Sequence, residues 1–165
     1  MNNPGILITG NREILNITRI ENLLYSNFSI FEIHGIENIV RSIINSKIDI
    51  IISCSNHTAV DDALRVAKEI RGRGLRIPII LIVRHSSEDL FIAAIKSGID
   101  DCFKIPFPKE AILKSINNNI LKSFFINKES IPGPENNLND ISMLATADLA
   151  MPIRLFHQER KGGLI

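Results

Sequence analysis

Residues Ile77–Phe107, IPIILIVRHSSEDLFIAAIKSGIDDCFKIPF, decide the fold. The stretch opens on IPIILIV, apolar on both faces, as expected of a strand in the middle of a parallel sheet covered by helices. Ser86 or Ser87 then caps a helix that runs through Lys96 and stops at Gly98. A short strand follows at Cys102–Ile105. Pro106 breaks it, and Pro108 sits where a first helical turn tolerates proline. A strand, a helix and a second strand in this order make the crossover unit of a parallel sheet.

The same alternation extends towards the N-terminus. Gly5–Thr9 (GILIT) is a strand ended by the turn signal Gly10-Asn11. Residues 12–26 carry Ile14, Ile17, Ile20, Leu23 and Leu24 at helical spacing, and Ser29–His34 (SIFEIH) is a second strand. Ile36, Ile39, Val40, Ile43 and Ile44 mark one face of a helix over 36–46. Ile48–Ile52 is the third strand, bounded by the polar loop Ser53–Thr58. A helix over 60–72 turns Val60, Leu64, Ala67 and Ile70 inward and ends at Gly72 and Gly74. After the fifth strand a last helix runs from about 109 to 124. The series predicts an α/β fold: a doubly wound, five-stranded parallel sheet of flavodoxin-like type with right-handed crossovers. Ligands bind such sheets at the carboxyl ends of the strands, so the residues that follow each strand carry the functional question.

Residues 1–126 are thus expected to form the domain. Residues 127–140 (NKESIPGPENNLND) have the Pro, Gly and Asn content of a linker. Residues 141–165 form a tail with a weak helical pattern interrupted by Pro152. It is either the start of a truncated output domain or a segment that docks on this domain or on a second copy.

Lys+Arg (19) nearly balance Asp+Glu (18), so this segment offers no electrostatic footprint for nucleic acid or anionic lipid. The two cysteines, Cys54 and Cys102, form no CxxC pair and no disulfide framework, which suits a reduced cytosolic setting. In a sheet whose third and fifth strands flank the fourth, they would be about two strand spacings apart and beyond disulfide reach. The start, MNNPGILITGNRE, lacks the basic region of a signal peptide, and no apolar run approaches the length of a membrane span. A cytoplasmic protein is expected.

On the residues of Ile77–Phe107, above all Gly98-Ile99-Asp100-Asp101 and Pro106-Phe107, the chain resembles the receiver domain of bacterial two-component response regulators. Asp49–Ile52 (DIII) is similar to the strand that leads to that family's phosphorylated aspartate. The resemblance covers roughly residues 5–124 and implies strand order 2-1-3-4-5. A working receiver needs two acidic residues after the first strand to help hold Mg²⁺. It also needs an aspartate after the third strand, a hydroxyl after the fourth and a lysine after the fifth. In this sequence those positions fall on Gly10 and Asn11, Cys54, Val83 and Ile105, and every one departs from the pattern. Gly10 and Asn11 offer no anionic oxygen, Cys54 cannot form an acyl phosphate, and Val83 and Ile105 put hydrocarbon where phosphoryl oxygens need donors. Lys104 lies one residue before the lysine position, on the opposite face of the strand. Glu13 lies close to the first-strand exit.

The expected function is therefore that of a phosphorylation-independent pseudo-receiver: a regulatory protein-interaction module, the N-terminal part of a transcriptional or signal-transduction regulator, without enzymatic activity, metal or cofactor. The resemblance implies an interaction face for a protein partner or a second copy of the chain around Phe91, Ala94, Ile95, Cys102 and Lys104. The alternative is a small-molecule or redox sensor that uses the emptied pocket around Asn11, Cys54 and Val83. Other candidate residues have plainer explanations. Asp61 and Asp62 suit a helix N-terminus, His57 an exposed loop, and Asp100-Asp101 a turn. His34 ends a strand, and His85 and His57 lack a third ligand for zinc. Arg65, Lys68, Arg71, Arg73 and Arg76 are read as a solvated helix face.

Overall fold

The computed structural model describes residues 3–56 and 60–129. Five strands, β1 (Gly5–Gly10), β2 (Ser29–Glu32), β3 (Ile50–Ser55), β4 (Ile79–Val83) and β5 (Asp101–Lys104), form one parallel sheet in the order β2-β1-β3-β4-β5. The helices are α1 (Arg12–Thr18), α2 (Ile20–Leu24), α3 (Ile36–Asn45), α4 (Val60–Gly72), α5 (Glu88–Lys96) and α6 (Lys109–Glu129). This is the doubly wound sheet that the alternation predicts. The compact unit that holds it ends at Ser123.

Each central strand is buried along its length except at Gly10, the exposed end of β1, because both faces of the sheet are covered. Alternate residues Ile6, Ile8, Ile50, Ile52, Cys54, Ile80, Ile82 and Phe103 enter one core with Ile14, Leu15, Ile20, Leu24, Ile112 and Ile116 of α1, α2 and α6. Leu7, Thr9, Ile51, Ser53 and Leu81 alternate to the other face, where α4 packs on β3 and β4.

Several boundaries differ from the sequence-based expectations. Helix 12–26 is two helices, because Arg19 adopts left-handed backbone angles (φ 48°, ψ 31°). The Thr18 hydroxyl bonds back to the Ile14 and Leu15 carbonyls just before the break. The break resets the helical phase, so Ile20 and Leu24 reach the core and Ile17 is left exposed. β3 extends to Ser55 rather than ending at Ile52, since Ser53, Cys54 and Ser55 pair with Leu81, Ile82 and Val83. β5 starts one residue early, at Asp101, and ends at Lys104, and α6 continues to Glu129, past the expected end near 124. The rest of the expected linker and the tail lie outside the described residues.

Arg71 corrects the reading of the basic stretch as a solvated face. Its guanidinium donates to the carbonyls of Gly98 (2.7 and 3.0 Å), Leu75 (3.0 Å) and Ile77 (2.8 Å), and to Asp100 Oδ2 at 2.9 Å. It ties the end of α4 to the entry of β4 and to the turn before β5. Gly98 (φ 85°) lies so close that a Cβ there would meet the Arg71 side chain. Arg73, by contrast, bridges Glu37 and Glu69 on the surface.

Candidate functional site

The fold brings the five predicted pocket residues together at the carboxyl ends of the strands. Gly10 and Cys54 are direct partners across β1 and β3. The Asn11 amide donates to the Cys54 carbonyl at 2.7 Å, and the Ile105 amide donates to the Val83 carbonyl at 2.9 Å. Asn11 is also the N-cap of α1, its Oδ1 accepting from the Ile14 amide at 3.2 Å. Its side chain is thereby committed to the helix.

None of these residues offers a charge. Gly10 takes φ 109°, and a Cβ on it would collide with the Cys54 carbonyl. Cys54 is 1% exposed and points into the core with Ile52 and Phe103. Burial, helped by the charge of Glu21, pushes its thiol up to about 12. The group is therefore a neutral thiol at neutral pH. Val83 is fully buried and Ile105 packs against the core. Lys104 pairs with Val83 in the sheet register and is exposed.

Sequence reading missed an ion pair beside this cluster. Arg84, which follows β4, donates through Nη2 to Glu13 Oε1 of α1 at 2.9 Å. The contact joins residues 71 apart in the chain. Glu13, the carboxylate that the sequence places close to the first-strand exit, thus already has a cation. Only the register of β1 against β4 through β3 makes the pair visible.

The predicted interaction face is split by burial. Ile95 (66% exposed) and Lys104 lie on the surface, Phe91 is half-buried, and Ile92 joins them as a further exposed apolar residue. Ala94 (2% exposed) and Cys102 are buried beneath that face rather than on it, because helical periodicity turns Ala94 towards the sheet while Ile92 and Ile95 point away.

Two cavities open near the strand ends. One, of about 740 Å³, lies between α1–α2 and the β5–α6 turn and is lined by Arg19, Leu23, Arg84, Ile105 and Phe107 among others. The second, of about 400 Å³, lies over β1 and β3 between α3 and α4. Asn11 and Cys54 border it, while Val83 of the expected sensor pocket does not. Among the described residues no group of three or more His, Cys, Asp or Glu is placed to hold a metal ion, and no helix is long and apolar enough to cross a membrane. His57 lies outside the described residues.

At the opposite end of β5, Asp101 is buried. Its carboxylate accepts from the Ser115 hydroxyl and from the Cys102 amide, and Asn119 bonds to Ser115 in turn. This network ties β5 to α6 and accounts for Asp101 better than turn chemistry does.

Solved receiver domains share this architecture. The signal receiver domain of an HD domain-containing protein from Pseudomonas fluorescens Pf-5 matches with a TM-score of 0.63 at 17% identity, over 74% of this chain and 98% of its own. The receiver domain of Francisella response regulator 1452 matches with a TM-score of 0.60 at 18% identity, over 73% and 99%. A two-component response regulator from Clostridium difficile matches with a TM-score of 0.57 at 24% identity, over 72% and 96%. No protein-family model and no curated protein matches the chain. The fold is the receiver fold, with the strand order 2-1-3-4-5 expected from the sequence.

Proposed function

We propose that this receiver-fold domain is a regulatory binding module of a signalling or transcriptional regulator and works without taking up a phosphoryl group. The observation that carries the reading is the state of Cys54. The residue at the acceptor position is a buried thiol, held neutral and turned into the core. The backbone around it supports the same conclusion. Gly10 is pressed against the Cys54 carbonyl, so a metal-binding carboxylate has no room on that strand end, and Glu13 is taken by Arg84. Val83 and Ile105 supply no donor for phosphoryl oxygens. Signal output then rests on differential affinity for partners. The exposed Ile92, Ile95 and Lys104 supply an apolar surface with a basic edge for a protein partner or a second copy of the chain.

The test is an amide NMR titration of the full chain with Mg²⁺ and beryllofluoride, a phosphoryl mimic. The amides of Gly10, Asn11, Cys54, Val83 and Ile105 are expected to stay in place. Saturable shifts at those amides that require Mg²⁺ and extend to Val83 and Ile105 would overturn the proposal and make the domain a phosphoryl switch.

A further inference from the structure

The cavity of about 400 Å³ between α3 and α4 has a floor that the apolar strands do not explain. Thr9 of β1 and Ser53 of β3 are direct partners in the sheet, beyond the apolar pair Leu7 and Ile51 on the same face. They are 7% and 5% exposed, and both line the cavity. Neither hydroxyl has a hydrogen-bond partner among the described residues, yet no fully enclosed side-chain oxygen there lacks one. The two hydroxyls therefore keep a small opening to the cavity, and their hydrogen bonds are completed from it. This is the sheet face opposite the core that receives the Cys54 side chain.

The walls above that floor offer donors to a negative group, beside two carboxylates that already have partners, Glu37 in the first turn of α3 with Arg73 and Asp62 with Arg65. α3 begins at Gly35, whose φ of 85° suits glycine and whose place as N-cap brings no side chain to the first-turn amides. Those amides and the helix dipole attract an anion. Arg65 of α4 faces the same space, steadied at 3.1 Å by Asp62. The Asp62 charge offsets part of the Arg65 charge, so recognition rests on directed bonds as much as on net charge. Ile39 and Val66 supply an apolar wall. In a sheet of order 2-1-3-4-5 the switch point, where successive connections leave in opposite directions, is between β1 and β3, and the cavity sits there. Its size falls within the range of small-molecule sites.

We infer that this cavity binds a small organic oxyanion, with its phosphate or carboxylate group between the N-terminus of α3 and Arg65 and its polar body over the Thr9 and Ser53 hydroxyls. The inference is argued from Thr9, Ser53, Arg65 and the N-terminus of α3, while Gly10, Asn11 and Cys54 of the acceptor positions border the cavity. It would give the domain an input of its own.

The experiment is an amide NMR titration of the full chain with sodium phosphate and, separately, with sodium acetate, at ionic strength held constant with sodium chloride. Saturable shifts are expected at Thr9, Gly35, Ile36, Glu37 and Ser53. Saturation by phosphate alone assigns the site to phosphate esters, and saturation by acetate alone or by both admits carboxylates. Arg65→Gln, an exposed position whose loss leaves the core intact, is expected to weaken binding about tenfold, the ratio that one charge-assisted hydrogen bond supports. Ser53→Ala is expected to weaken it to a smaller extent. Arg76→Gln, which removes a positive charge away from the cavity, is expected to change nothing. No saturable shift with either anion, or equal weakening by Arg65→Gln and Arg76→Gln, would overturn the inference.

Discussion

The carbonyl oxygen of Cys54 fills the space that a Cβ on Gly10 would need, and it accepts the Asn11 amide at 2.7 Å. This contact closes the end of β1 onto β3. It also fixes the backbone of Gly10 at a φ of 109°, which L side chains rarely adopt.

Replacing Gly10 by aspartate, as a Mg²⁺ site would require, is therefore expected to destabilise the fold by more than about 2 kcal/mol. Gly10→Ala should cost a similar amount, because the clash begins at Cβ. Urea unfolding of both variants checks this. A loss under about 0.5 kcal/mol, the ordinary scatter of surface substitutions, would mean that the strand end adapts and that the acidic pair could be restored.

Cys54 should be chemically silent in the folded protein. Burial is the main cause of its raised pKa, to about 12, with Glu21 adding to it. Thiol titration with an aromatic disulfide at neutral pH should leave Cys54 and the less deeply buried Cys102 unmodified, and both should react in urea. Fast labelling of Cys54 in the native state would revive a redox role for it.

Asp101 predicts a pH dependence whose sign is opposite to that of a salt-bridged carboxylate. Burial raises its pKa above 3.8, outweighing the lowering by Ser115, the Cys102 amide and Lys122. The folded state thus resists its ionisation. The stability linked to Asp101 is fully present below the unfolded value and falls as pH rises through the raised folded one. Asp101→Asn lacks that fall. Urea unfolding of the two proteins across the acid range should show the balance moving in favour of the Asn variant as pH rises. Movement in the other direction would mean that the Ser115 and Cys102 bonds dominate burial.

Arg71 should be a stability residue rather than a surface charge. Removing it leaves the carbonyls of Gly98, Leu75 and Ile77 without their shared donor. Arg71→Ala is expected to cost about 1.5–3 kcal/mol, the range for hydrogen bonds to a charged group. Arg71→Lys should recover only part of that, because one ammonium cannot reproduce the planar fork. Thermal melts of the two variants read the difference, and a melt of Arg71→Ala unchanged from the parent would refute the role.

The sequence alone determined the architecture. The doubly apolar runs GILIT and IPIILIV have no stable place except the centre of a covered parallel sheet, and the helical stretches between them supply the covers. The resemblance assigned residues to the strand ends, although the apolar run of β3 stops at Ile52 and the strand itself runs on to Ser55. Gly10, Asn11, Cys54, Val83 and Ile105 do meet there. Local periodicity was a weaker guide to exposure. It ran α1 and α2 together across Arg19 and counted the exposed Ile17 with the apolar face, while the resemblance placed Ala94 on a surface from which the helix turns it away.

Only the tertiary structure decided what the strand ends can do. The direction of the Cys54 thiol depends on the extension of β3 to Ser55, and that extension exists because β4 lies alongside to pair with it. The Arg84–Glu13 and Arg71–Gly98 contacts join residues 71 and 27 apart, so no local pattern announces them. Thr9 and Ser53 are isolated polar residues in the sequence. They become a pair of hydroxyls on a cavity floor only when β1 and β3 align in register and α3 and α4 leave space above them. The physical reason is common to all of these. Periodicity along a chain records which side of an element avoids water, whereas a site is made by groups on different elements, and their distances are set by strand register and helix packing.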